Sequence, residues 1–200
     1  MTDVLDSLRD LNVAVLHRRD ATGDELLQQV HRIGCPVESH WPVPESLPDK
    51  VDLLFTEVNE ESQTDLHRML ERARRVPLTL VAIIGYENPS VLSAVQKIGA
   101  HAIVTKPVRA AGVLSAMVMA RHYWADRCRF NRDLEKMRTR LDSLQKVNDA
   151  KFILMRHHGI DDKEAYSIIR KQAMSKRTTT IEIAQSIINA DGILRNFRSD

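Results

Sequence analysis

The stretch TLVAIIGYENPSVLSAVQKIGAHAIVTKP, residues 79–107, reads as a strand, a helix and a second strand. Thr79–Ile84 and Ala102–Thr105 are short apolar runs with β-branched residues, the composition of strands buried on both faces. Between them, Pro89 to Ile98 carries apolar residues at helical spacing, opened by a proline and closed by Gly99. A unit of this kind builds parallel sheets wrapped by helices.

The same alternation recurs on the N-terminal side. Asn12–Leu16, Val37–Trp41 and Val51–Thr56 supply three more strands. Asp24–Ile33, ended by Gly34, and Gln63–Arg75, stopped before Pro77, supply helices. Five strands with interleaved helices predict a doubly wound, flavodoxin-like α/β domain over residues 1–120.

Beyond Pro107 the chemistry changes. No proline follows, and no glycine stands between Val113 and His158, so nothing local breaks a helix for about 45 residues. Phe130, Leu134, Met137, Leu141 and Leu144 recur at alternating steps of four and three, one seam at the heptad period, which Asn148 continues. Residues 121–149 are therefore read as a coiled-coil helix that forms a homodimer; packing of the seam on the chain's own helices is the alternative. Gly159 is placed to end this helix. Asp161 with Glu164, and Thr179 with Glu182, make capping boxes that start two more. Ala165, Ile168, Ile169, Gln172 and Ala173 form the expected buried stripe of the first of these, with Met174 also in the core; Ile183, Ala184, Ile187 and Ile188 form that of the second. The tail past Asn189 is expected to fray.

Composition narrows the function classes. Apolar residues make up 43% of the 200 and charged residues 28%, ordinary for a folded chain in water. No apolar run reaches about 18 residues and the first ten carry acids, so the expectation is a cytoplasmic chain without a membrane segment. Cys35 and Cys128 stand far apart, outside any metal-ligand spacing, and read as reduced thiols. There is no G-x-S-x-G, P-loop or H-E-x-x-H, so no enzyme, cofactor or metal is expected. The net charge of +2 conceals a split: residues 1–120 hold 12 Lys/Arg against 16 Asp/Glu, residues 121–200 hold 17 against 11. The second part is the candidate for a polyanion.

Two features of the first domain are receiver-like: Asp52-Leu-Leu-Phe-Thr-Glu57 ending the third strand, and Lys106-Pro107 directly after the fifth. The rest of a phosphoryl-accepting site is missing. His17, Arg18 and Arg19 stand instead of an acidic pair, Glu57 lies about where the nucleophilic Asp belongs, and Ile84-Gly85 replaces the hydroxyl residue. Without those carboxylates Mg²⁺ lacks hard oxygen ligands. Glu57 and Lys106 thus mark a degenerate receiver site, with Glu57 either a fixed mimic of a charged acceptor or a plain strand-end polar residue.

The run Ala150-Lys-Phe-Ile-Leu-Met-Arg-His-His-Gly-Ile160, with Glu164-Ala-Tyr166, Arg170, Ala173-Met174 and Ile183-Ala184 after it, closely resembles the ANTAR family of RNA-binding modules. Ser7-Leu-Arg9, Arg32-Ile-Gly-Cys35, Val51–Thr56 and Pro89–Leu92 are similar to the branch that regulates aliphatic amidases; Gln172-Ala-Met-Ser175 is similar to the nitrate branch. One departure is His157, where the family usually has arginine. The resemblance implies a three-helix ANTAR module over residues 150–190. It also implies a transcription antiterminator that binds paired leader-transcript hairpins, and a cytosolic partner resembling solute-binding proteins, amide- or nitrate-sensing, that sequesters it.

Hairpin loops present phosphates and unstacked bases, so such a protein needs clustered cations and planar groups. Lys151, Arg156 and His157 lie at the end of the long helix; Arg170, Lys171, Lys176 and Arg177 cluster at the end of the next. Tyr166 is open to two readings, stacking on a base or packing in the core. The competing function is a DNA-binding response regulator with a helical output domain.

Overall fold

The computed structural model describes residues 2–47, 49–59, 63–73 and 77–196. The chain forms two compact units, residues 1–128 and 129–200. In the first, helix α1 (Thr2–Arg9) precedes strand β1 (Val13–Leu16), helix α2 (Ala21–Ile33), β2 (Val37–His40), β3 (Leu53–Glu57) and α3 (Gln63–Arg72). Then come β4 (Thr79–Ile84), α4 (Pro89–Lys97), β5 (Ala102–Thr105) and α5 (Ala110–His158), which continues into the second unit. The sheet is wholly parallel in the order β2-β1-β3-β4-β5, with Val13 opposite both Val37 and Leu53. The expected α/β class and all five strands are present. Helix α1 was not anticipated, and the expected extension of α3 through Arg75 lies outside the described residues.

Side-chain alternation sorts the strands into two cores. Val13, Val15, Leu53, Phe55, Val81 and Ile83 face α1, α2 and the start of α5; Ala14, Leu16, Leu54, Leu80, Ala82 and Ile84 face α3 and α4. The middle strands are buried throughout, as continuous apolar runs require, whereas β2 is half-exposed at the edge. Local signals fix the helix ends. Asp20 accepts hydrogen bonds from the Thr22 and Gly23 amides at the start of α2, Gly34 closes it at φ 101°, and Asn88 caps α4 through the Val91 amide. At the other end of the sheet, Val113, Met117 and Ala120 of α5 are buried and Arg121 donates to Thr79 Oγ1 at 2.9 Å while lying 4.2 Å over the Trp124 ring.

In the second unit, α6 (Asp162–Lys176) and α7 (Thr180–Asn196) pack on the end of α5. Both capping boxes are formed, Asp161 with Glu164 and Thr179 with Glu182. Gly159 takes the left-handed conformation at φ 64°. The core is Ala150, Ile169, Ala173, Ile183 and Ala184, with Val147, Leu154, Ile187 and Ile188 around it. Small residues at the centre let helix axes approach closely. Three expectations need correction. Ile168 and Gln172 are exposed, because the buried stripe of α6 is the narrow row 165, 169, 173. Met174 lies outside the core, 68% exposed on the far side of that row. The tail past Asn189 continues as helix, since Asp191 is buried against α5.

Candidate nucleic-acid interface

The receiver-like site assembles at the carboxyl ends of β1, β3 and β5, where a parallel sheet of this order places its ligand crevice. Lys106 follows β5 and donates to Glu57 Oε1, the last residue of β3, at 2.5 Å. His17, following β1 and 1% exposed, faces the same carboxylate, its Nε2 3.6 Å from Glu57 Oε2. Its Nδ1 is 2.6 Å from the Arg18 carbonyl, so that nitrogen carries the proton and donates. The Gly23 amide, ahead of the charge of His17, holds the Asp20 carboxyl below its ordinary range. Glu57 and Lys106, the two residues read as a degenerate receiver site, form an ion pair here.

The seam residues lie along the exposed face of α5. Phe130, Leu134, Met137, Leu141 and Leu144 are 38–65% exposed. Helices α6 and α7 cover Val147, Ala150 and Leu154 instead, and Ala150 is about 180° round the helix from Leu141 at 100° per residue. Within this unit the chain's own helices leave the seam bare. The exposed face also includes Phe152, which the heptad reading did not reach because it stands four residues after Asn148, not three.

The cations divide into two groups. Lys151 is largely covered and pairs with Asp162 of α6 at 2.5 Å. Arg156 Nη2 and His157 Nε2 both donate to Asp191 Oδ1, at 2.7 and 2.8 Å, and Asp191 is only 6% exposed. These three, read from sequence as RNA contacts, tie α5 to α6 and α7. Arg170, Lys171, Lys176 and Arg177 are exposed, and among the described residues none makes an ion pair. Lys163 is free in the same way. Both acids of α6 are engaged, Asp162 by Lys151 and Glu164 in its capping box. Glu164 keeps its charge, but the exposed cations without an ion pair outnumber it. Sequence reasoning missed Asp191, whose signal was its place on the buried stripe Ala184, Ile187, Ile188, an acid where an apolar residue belongs. It also left Tyr166 open, and the structure places that ring on the surface, 46% exposed.

The family described as "AmiR, N-terminal" matches residues 11–121, and the ANTAR domain matches residues 135–188. The aliphatic amidase regulator of Pseudomonas aeruginosa is 35% identical over 185 residues, 92% of this chain and 94% of that protein. The transcriptional regulatory protein PdtaR of Mycobacterium tuberculosis is 22% identical over 143 residues, 72% of this chain and 70% of that one. Among solved structures, the response regulator StyR has the same fold, with a TM-score of 0.51 at 13% identity over 90% of this chain and 99% of that one. No helix among the described residues is long and apolar enough to cross a membrane. With both of its domains matched and a full-length relative above 30% identity, this chain belongs to the AmiR family of ANTAR-domain transcription regulators.

Proposed function

We infer that this chain is an RNA-binding transcription antiterminator that holds leader-transcript hairpins and permits readthrough into an amidase or nitrogen-metabolism operon. The observation that carries the reading is the surface of α6 and its C-cap, where Lys163, Arg170, Lys171, Lys176 and Arg177 make no ion pair and outnumber the one exposed acid of the helix that has none, Glu164. Such a surface attracts a polyanion chiefly through release of the counterions that its phosphates condense. The family resemblance makes that polyanion a folded transcript. A homodimer built on the seam covers an apolar ribbon otherwise left in water. It also carries two modules, so one RNA with two hairpins engages both and gains affinity by avidity.

On this reading residues 1–120 are a docking body, 121–149 the dimer helix and 150–190 the RNA-binding module, in a cytoplasmic protein. Control falls to a ligand-sensing partner of the solute-binding type that sequesters the antiterminator. The run His17, Arg18 and Arg19 in place of an acidic pair supports that over phosphorylation, because Mg²⁺ then lacks the carboxylate ligands that phosphoryl transfer needs. A gel-shift titration with the operon's leader RNA and its promoter DNA at matched salt tests the reading. Tighter binding of the RNA is expected; preference for duplex DNA would replace the reading with a DNA-binding response regulator.

A further inference from the structure

Helical spacing places Tyr166, Arg170 and Met174 in one exposed row at i, i+4 and i+8, with Lys163 and Arg177 beside it. The buried row 165, 169, 173 lies one residue behind each of them, so the exposed row flanks the packed face. Tyr166 is 46% exposed and Met174 68% exposed, so both are open to a ligand. Arg170, between them, makes no ion pair among the described residues, so its guanidinium plane is free to stack. Side chains four residues apart stand about 6 Å apart along a helix axis. A stacked base takes up about 3.4 Å of strand, so a ring and a guanidinium flanking one base need a gap near twice that.

We propose that Tyr166 and Arg170 sandwich one unpaired nucleobase of a hairpin loop, with Met174 against its edge, while Lys163 and Arg177 take the phosphates on either side. This rests on the RNA reading above and adds a base-stacking site to what is otherwise a charge-driven contact. Unpaired bases offer the flat apolar faces that aromatic and guanidinium groups stack on; a closed duplex does not. The excess of cations over acids on α6 and its C-cap suits a nucleic acid better than a basic protein surface.

The test uses the full-length protein and a leader hairpin carrying 2-aminopurine at each loop position in turn. Wild type should change the fluorescence strongly at one position. Tyr166→Ala should abolish that change and weaken hairpin binding about 10- to 100-fold, whereas Tyr166→Phe, which keeps the ring, should stay within about twofold. Arg170→Lys should keep the salt dependence and lose part of the fluorescence change, since it preserves charge but not the plane. Hairpin binding by wild type with no fluorescence change at any loop position overturns the proposal. So does an equal loss by Tyr166→Ala on the hairpin and on a blunt duplex of the same stem. Failure of wild type to bind the hairpin at all would instead defeat the RNA reading itself.

Discussion

Asp191 joins the last turn of α5 to α7 by accepting from two side chains at once, Arg156 and His157. Its carboxylate is buried and theirs are the half-exposed groups, so the interaction is stronger than a surface pair yet screened on one side. Asp191→Asn should destabilise the protein by about 1–2 kcal/mol in urea melts, with secondary structure retained at low denaturant; an unchanged midpoint would mean that the clamp is passive. His101 offers a second test. Its Nδ1 accepts the Leu80 amide at 3.0 Å, and burial followed by the charge of Arg127 holds its pKa below the ordinary value. Folding therefore excludes a proton that the unfolded chain binds below about pH 6.5. The stability this contributes is complete above that pH and declines as the pH falls toward the folded pKa. His101→Gln keeps an acceptor and removes the titration. Thermal melts at pH 7.5 and 5.5 should show a larger acid-induced drop in wild type than in the variant, and equal drops would exclude the mechanism.

The elements differ in how far they could be read from sequence. Several helix ends were legible because capping chemistry is local, although α2 begins at Ala21 behind the cap Asp20, three residues before the Asp24 read from sequence. Gly159 at φ 64° and the boxes opening α6 and α7 stand where their residues placed them. Gly159→Ala should accordingly cost about 1 kcal/mol, read as a lower melting temperature, because an L side chain is strained in that conformation. Strands β4 and β5 were legible to the residue because continuous apolar runs end abruptly in turn chemistry. Faces were harder. Ile168 and Met174 fit a helical stripe as well as Ile169 does, and only the direction from which α5 and α7 approach α6 decides which is covered. Ion-pair partners were illegible for the same reason: Asp162 and Asp191 lie 11 and 34 residues from Lys151 and His157. The seam was legible as a pattern and stays bare in the second unit. Leu141→Asp should make sedimentation monomeric and weaken binding to a two-hairpin RNA far more than to one hairpin; equal losses would break the link between dimer and RNA.

Across the whole molecule, the receiver-like unit holds a Glu57–Lys106 ion pair at the carboxyl end of its sheet, and the excess of positive charge lies in residues 121–200. The central claim is that the free cations of α6 and its C-cap hold a folded transcript. The most direct measurement is the salt dependence of leader-hairpin binding by wild type and by a variant with Lys171 and Lys176 both changed to Gln. If about five phosphates are neutralised, log affinity should fall against log salt with a slope of roughly −3 to −4, and the variant should be shallower by about 1.4. A slope near zero, or one that the two substitutions leave untouched, would contradict it.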